Sequence, residues 1–247
     1  MHNKQRLIIK LLEISYKIGI ITVFGFLVQK YISQLGLFEN IHVEIRGNQF
    51  IDSDRIIKEV EPLIDQSLLS INLDNIQDGV SFLDFVQTTR ASCILPSTLI
   101  IQVLERKPVI LIIHDNQNLF MDINGILIPA EAHSIRFFPV PIITVSKGVD
   151  DIDKFHLKVS ELFEFILDDY PIFYDNLSEV IVEDDEWTFI SDSKTRILTT
   201  SNKLFTQLNA LKYFEKTVFP NRELKDYSYI DIRVAEQVIV KEKYRKG

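Results

Sequence analysis

The chain has 247 residues and a net charge of −8, from 27 basic and 35 acidic side chains. Nucleic-acid binding needs basic surfaces that face phosphates, so this charge balance argues against it. Hydrophobic residues make up 46% of the chain, which is ordinary for globular material and sufficient for one large domain or two small ones.

An uncharged apolar stretch lies near the N-terminus, between Lys17 and Lys30. At about 1.5 Å per helical residue it covers only about 18 Å of a hydrocarbon layer of about 30 Å. If both lysines run their stems along the helix and place their ammonium groups in the headgroups, residues 14–32 reach about 28 Å. A transmembrane helix is therefore predicted over residues 14–35.

Basic residues dominate the flank before this helix, and the acidic bulk of the chain follows it. The flank carries Lys4, Arg6, Lys10 and Lys17 against Glu13. Positive-inside logic predicts a cytoplasmic tail over residues 1–13 and extracytoplasmic domains after the helix. A cleaved signal peptide has the same polarity, but residues 33–36 make a poor small-x-small cleavage site. A soluble chain with a buried N-terminal helix is the third alternative.

The next segment has the pattern of a small module of strands and helices. Apolar and polar residues alternate up to Arg46, as in a strand with one buried face, and Gly47-Asn48 then indicates a turn. Apolar residues at helical spacing follow, and Pro62 should end the first of two helices early. The predicted elements are a strand over 41–46, helices beginning near Ser53 and Asn72, and strands over 85–94 and 98–105.

The residues of this module resemble the POTRA domain of the FtsQ/DivIB family of bacterial cell-division proteins. The resemblance is carried by Ile45-Arg46-Gly47-Asn48, Leu68-Leu69-Ser70-Ile71-Asn72, Val86 and the run from Leu95 to Pro108. That run has the pattern Pro-x-Thr-Leu-x-Ile-x-Val-x-Glu-Arg-x-Pro and is the most specific part. Strand alternation explains its apolar positions, but spacing alone does not explain Glu105-Arg106 followed by Pro108. Cys93, the only cysteine, departs from the family, whose members often carry a basic residue there; we expect a small buried strand residue.

The rest of the chain resembles the family's second, β-rich domain. A hairpin over 120–128 turns at Asn124-Gly125, which is a strong hairpin signal and is similar to the Asp-x-x-Gly hairpin that opens that domain. The closing strand is expected at Tyr229–Arg233, which resembles the family's Tyr-x-Asp-Leu-Arg motif. Between them lie predicted helices over 153–168 and 202–214 and strands over 180–182 and 187–190.

The expected fold class is therefore α+β: a single N-terminal transmembrane helix, a POTRA domain (β-α-α-β-β), and a mixed β-rich domain with two packed helices. The expected segments are a cytoplasmic tail over 1–13, the transmembrane helix over 14–35, the POTRA domain over 38–107 and the β domain over 108–247.

Features that would indicate an enzyme are weak. The five histidines have no metal-ligand spacing, and no Gly-x-Ser-x-Gly elbow or glycine-rich phosphate loop occurs. Asp122-x-Asn124-Gly125 resembles the start of a calcium loop but lacks the later ligands, so it is interpreted as the hairpin turn. The acidic run 183–186 is interpreted as a solvated turn between strands. We expect no catalysis, no cofactor and no metal.

What remains is protein binding, and we expect it at the C-terminal strand. If that strand lies at a sheet edge, its unpaired backbone groups can accept an extended partner segment as a further strand. The resemblance implies the same mechanism, since the C-terminal region of FtsQ-like β domains recruits the small bitopic partners FtsB and FtsL, and the POTRA domain contributes to localisation. The predicted partner-binding residues are Tyr229, Ile230, Asp231, Ile232, Arg233 and Val234.

A plainer interpretation holds for the same strand: Ile230 and Ile232 face the core, and Asp231 and Arg233 form a surface ion pair. The resemblance implies a non-catalytic scaffold of the divisome, single-pass in the cytoplasmic (inner) membrane at the division septum. The alternative is a POTRA-bearing envelope protein that chaperones or exports extended polypeptides.

Overall fold

The structure is a computed structural model that describes residues 2–34, 36, 38, 40–64, 67–115, 117–147, 149 and 151–243. The chain divides into two compact units, Met1–Glu105 and Arg106–Gly247. The predicted segment ends at residues 1, 35 and 247 lie outside the described residues.

The first unit begins with a long helix, α1 (His2–Gln34). Its side chains from Glu13 to Tyr31 are exposed, including a continuous set of large apolar ones. Within the described residues, no helix combines the length and the apolar character that crossing a membrane requires. The transmembrane helix expected over residues 14–35 is therefore not confirmed.

The rest of the first unit has the predicted order of strand, two helices and two strands. The elements are β1 (His42–Arg46), α2 (Ser53–Val60), α3 (Leu73–Ser81), β2 (Val86–Ile94) and β3 (Thr98–Glu105). The helix α2 ends at Val60 because Pro62 follows in a short 3₁₀ turn. Asn72 caps α3, since its side-chain oxygen accepts hydrogen bonds from the backbone N–H groups of Asp74 and Asn75.

The three strands form a sheet in the order β1-β3-β2, with β1 parallel and β2 antiparallel to β3. The apolar faces of both helices and of the central strand make the core. Its fully buried side chains are Ile56, Val60, Ile76, Val80, Leu99 and Ile101. The β-α-α-β-β expectation is confirmed.

The second unit is built on a nine-stranded sheet. Its strands are β4 (Pro108–His114), β5 (Gln117–Asp122), β6 (Leu127–Pro129), β7 (Ile142–Lys147), β8 (Leu177–Glu183), β9 (Glu186–Ser191), β10 (Arg196–Thr200), β11 (Tyr227–Asp231) and β12 (Ile239–Glu242). Their order is β12-β11-β10-β9-β8-β7-β4-β5-β6. The sheet is mixed, because β7 is parallel to β4 and β8, and β10 is parallel to β11, whereas the other pairs are antiparallel.

Two long helices supply the other half of this core, as expected. The helices of the unit are α4 (Ala132–Phe137), α5 (Ile152–Asp169), α6 (Pro171–Asp175) and α7 (Leu204–Val218). One stripe of α5 and one of α7 are buried in a cluster with the inward side chains of the sheet, among them Trp187 and Phe189 of β9 and Ile230 of β11. The apolar spacing of both helices in the sequence predicts these stripes.

Candidate functional site

The predicted partner-binding residues lie at and just after β11. Tyr229, Ile230 and Asp231 belong to the strand, and Ile232, Arg233 and Val234 follow it. The expectation that they form the closing strand is wrong, because β12 follows, and the condition that their strand lies at a sheet edge is not met. β11 pairs with β10 on one side, Ile197 facing Ile230, and with β12 on the other, Val240 facing Ile230.

The cause is a return of the chain after β11. A turn follows Val234, with the N–H of Gln237 bonded to the Val234 carbonyl oxygen, and Glu236 has a positive φ of 59°. β12 then runs back along β11 and covers its outer side. The sequence does carry a signal for it, the apolar run from Val238 to Val240, but the run is shorter than an ordinary strand.

The plainer interpretation of β11 is confirmed. Ile230 and Ile232 are buried in the core. The guanidinium of Arg233 donates two hydrogen bonds to the Asp231 carboxylate, at 2.7 and 3.0 Å, and a further 2.7 Å contact joins it to Glu186 of β9. Hydrogen bonds from Arg233 hold the pKa of Asp231 below its ordinary value. These side chains therefore stabilise the end of β11.

The edge of the sheet beside β11 is β12. All four of its side chains are exposed, and among the described residues no strand pairs with its outer side. Side chains fasten its inner side: the Ser228 hydroxyl donates to the Lys241 carbonyl oxygen at 2.9 Å, and Arg222 pairs with Glu242 at 3.2 Å. A row of unpaired N–H and C=O groups on an anchored strand is a template for a further strand.

A cavity of about 640 Å³ lies between α6, the last turns of α7 and the turn that follows β9. Its walls include Ser193 and Lys225, whose carbonyl oxygens accept hydrogen bonds from the side chain of Lys243, the residue after β12. Exposed Ile172 and Phe219 stand at its wall. Lys243 thus joins the end of β12 to two residues of the cavity wall.

The wall of the cavity combines buried aromatic rings with charged side chains, among them Lys212, Glu215 and Lys225. Tyr170 and Phe173 stack with ring centroids 5.1 Å apart, and both are buried. The Tyr170 hydroxyl donates a hydrogen bond to the Glu215 carboxylate. Burial, together with this bond, raises the pKa of Tyr170, so the phenol stays protonated. Such a wall suits an apolar or aromatic side chain with a polar tip.

The Glu105-Arg106 pair of the POTRA-like run acquires a physical explanation. In the first unit the Glu105 carboxylate accepts hydrogen bonds from the backbone N–H groups of Phe50, at 3.0 Å, and Ile51, at 2.8 Å. In the second unit Arg106 pairs at 2.9 Å with Asp122, which is buried. The charged side chains of Glu105 and Arg106 thus each stabilise the fold of the unit to which they belong.

Asp122 and the acidic run 183–186, the carboxylates considered above, have structural roles. Asp122 accepts hydrogen bonds from the backbone N–H groups of Asn124 and Ile126, both at 2.9 Å, which confirms the hairpin turn. The acidic run forms the turn between β8 and β9, as expected, and Asp184 there has a positive φ. In the part of the chain that the structure describes, no group of three or more His, Cys, Asp or Glu side chains is arranged to hold a metal ion.

Comparisons with known proteins agree with the first unit in particular. Residues 40–106 match the family described as "POTRA domain, FtsQ-type". The chain is 29% identical over 118 residues to "Cell division protein FtsQ" of Rickettsia bellii (strain RML369-C), a match that covers 48% of this chain and 43% of the relative. This chain thus spans less than half the length of that relative.

A solved structure is also similar: the major extracytoplasmic domain of the trans isomer of the bacterial cell division protein DivIB from Geobacillus stearothermophilus. The likeness has a TM-score of 0.31 and 11% identity, and covers 48% of this chain and 98% of that one.

Proposed function

The chain is a member of the FtsQ/DivIB family, and from this premise we propose that it is a non-catalytic scaffold of the bacterial divisome that recruits partners by strand addition. The observation that carries the proposal is the unpaired outer side of β12, in a chain with an FtsQ-type POTRA domain. The partners are FtsB/FtsL-type bitopic division proteins, and the result of the assembly is support for septum formation.

The proposed contact uses backbone chemistry first. An extended partner segment pairs with the outward N–H and C=O groups of β12, which makes it the tenth strand of the sheet. Ile239 and Val240 are among the exposed side chains of β12 and give the added strand apolar neighbours on the two faces. Of the predicted residues, Tyr229, Ile230 and Asp231 contribute indirectly, because they pair with the inner side of β12.

The neighbouring cavity supplies selectivity to this contact. Backbone pairing is nearly independent of sequence, so a partner must be distinguished by side chains. The proposed receptor for an apolar or aromatic partner side chain is the cavity whose wall Lys243 contacts and which holds the stacked rings of Tyr170 and Phe173. Side chains that fill a pocket in this way carry much of the energy of many interfaces.

We also propose that α1 anchors the protein in the inner membrane over residues 14–35. The support is its set of exposed apolar side chains, which water solvates poorly, and the basic flank that keeps residues 1–13 in the cytoplasm. The POTRA domain over 38–107 and the β domain over 108–247 then lie outside the cytoplasm. There the POTRA domain contributes to localisation at the septum.

Proline substitutions in β12 test the strand addition. Backbone N–H groups of successive residues point to opposite sides of a strand, so Val240→Pro and Lys241→Pro each remove a donor from a different side. The full chain and both variants are purified with co-expressed FtsB- and FtsL-type proteins from the same bacterium. The variant that loses the outward donor should no longer recover the partners. Hydrogen exchange should show that β11 and β12 remain paired in that variant.

A fluorescent fusion at Met1 tests the cellular role. A band at mid-cell in constricting cells is the expected result. Uniform labelling of the envelope, or partner recovery that neither proline changes, would contradict the proposal and favour a POTRA protein that handles extended polypeptides in transport.

A further inference from the structure

Lys243 fastens the end of β12 to two other segments of the second unit. Its ammonium group donates hydrogen bonds to the carbonyl oxygens of Ser193, at 2.6 Å, and Lys225, at 2.8 Å. Its backbone N–H donates to the carbonyl oxygen of Asp226 at 2.8 Å. The residue thus joins β12 to the turn between β9 and β10 and to the segment that leads into β11.

The surroundings of the ammonium group are ordered by a buried hydroxyl. Thr195 is fully buried, its Oγ1 lies 2.8 Å from the carbonyl oxygens of Leu224 and Tyr227, and it is 3.4 Å from the Lys243 ammonium. The carbonyl groups that receive the lysine therefore belong to backbone segments that are already bonded to each other. Lys243 meets a preformed site.

Apart from the contacts of Ser228 with Lys241 and of Arg222 with Glu242, β12 has few other attachments. Its two apolar side chains, Ile239 and Val240, stay 41% and 37% exposed, and it pairs with β11 at four positions, with an irregularity near Tyr227. Hydrogen bonds from a charged donor are about twice as strong as neutral ones. On a strand of four residues, one ammonium group with two carbonyl partners adds substantially to the attachment.

We propose that Lys243 is a positioning residue for partner docking, which holds β12 on the sheet so that its outer edge is available as a straight template. The inference rests on the proposed strand addition, but the attachment itself is a property of the chain without its partner. A partner strand pairs with β12 only while β12 is docked on the sheet. The apparent dissociation constant of the partner therefore equals the intrinsic one divided by the fraction of molecules in which β12 is docked.

The substitution Lys243→Met tests this in the full-length chain in detergent, because Met keeps an unbranched apolar stem and removes the ammonium group. Hydrogen exchange of the peptide that covers residues 239–242 should become faster by about tenfold or more, the equivalent of one charge-assisted bond. The dissociation constant for the extracytoplasmic segment of the FtsB-type partner should rise. Lys243→Arg, which keeps a cation, should recover part of both losses.

Lys154→Met is the matched control. Lys154 is an exposed lysine of α5 that pairs with Asp151, so its loss removes the same charge without touching β12. A saturating amount of partner should also restore the protection of residues 239–242 in Lys243→Met, because binding and docking are reciprocally linked.

Unchanged exchange of residues 239–242 in Lys243→Met would overturn the inference, whatever the partner does. Faster exchange with an unchanged dissociation constant would also overturn it, since Lys243 would then attach β12 without positioning it for docking. If the unaltered chain does not bind the partner segment, the strand addition is wrong and the docking role is overturned with it, while exchange still reports the attachment.

Discussion

Gly47 occupies a position that has no room for a side chain. Its φ of +89° is favourable only for glycine, and a Cβ there would lie 2.2 Å from the carbonyl oxygen of Val103. The close approach lets the turn after β1 fold against β3. The Arg-Gly-Asn part of the POTRA-like pattern thus has a steric cause.

Gly47→Ala should lower the free energy of unfolding of the first unit by at least about 2 kcal/mol, from backbone strain and from the clash. Gly79→Ala is the control, because a Cβ there meets only the end of the Leu63 side chain and alanine favours a helix. It should stay within about 1 kcal/mol of the unaltered chain. Denaturant unfolding followed by hydrogen exchange of β1 and β3 measures both, and equal effects of the two substitutions would contradict the steric explanation.

Glu105 is the second residue whose identity the fold demands, since its carboxylate satisfies two backbone donors of the segment before α2. Glu105→Ala should destabilise the first unit by about 1–3 kcal/mol, because the N–H groups of Phe50 and Ile51 lose their acceptor. Glu105→Gln, which keeps one acceptor oxygen, should cost less. Glu59→Ala, an exposed change in α2, should have little effect in the same denaturant titration.

His156 makes the second unit sensitive to pH. Burial lowers its pKa, with a smaller raising effect from Asp153 and a lowering one from His114. The unfolded chain therefore binds a proton more readily, so stability is present above about pH 6.5 and is lost as the pH falls below it.

The prediction is that His156→Gln flattens the fall in the free energy of unfolding of the second unit between about pH 7 and the lowered pKa. Chemical denaturation at several pH values measures it. His42→Gln, in the other unit, should leave the profile of the second unit as it was. If the free energy of unfolding falls equally steeply with pH in His156→Gln, the pH dependence belongs to other groups.

At the scale of elements, the stability of a helix end depends on its capping residue. The side chain of Asn72 accepts from two backbone N–H groups at the start of α3. Asn72→Ala should cost about 1 kcal/mol and increase exchange in the first turn of α3. Asn75→Ala, at an exposed position inside the helix, should be neutral or slightly stabilising, and a larger loss there than at Asn72 would contradict the cap.

The elements that sequence predicts well are those with a regular buried face. β1, β3, α5 and α7 were expected near their observed positions because their apolar residues recur at the period of a strand or a helix. The sequence does not predict β12, because it has only four residues and all four side chains are exposed. It therefore lacks the alternation of buried and exposed residues that marks a strand. The position of a strand in the sheet is set by pairing between distant segments, which local sequence patterns do not show. For this reason the sequence predicts neither the inner position of β11 nor the contacts of Lys243.

At the scale of the whole molecule, the exposed apolar helix α1 determines where the protein resides if the proposed anchor is correct. Ile21→Asp places a charge in the middle of the apolar stretch, where it is costly in hydrocarbon. The variant should move from the membrane fraction to the soluble fraction after cell lysis. Thr22→Ser, a polar but uncharged change one residue away, should stay with the membrane, and equal partition of both would contradict the anchor.

The parallel pairing of β1 with β3 has a consequence for biosynthesis. Among the described strands β1 has β3 as its only neighbour, with Arg46 opposite Gln102, and α2, α3 and β2 are all made in between. On the ribosome, β1 therefore emerges first and waits, with its backbone edges unpaired, until the last strand of the unit appears. The small sheet forms in one late step, and a nascent chain that stalls before Thr98 has no folded POTRA domain to protect it from proteases.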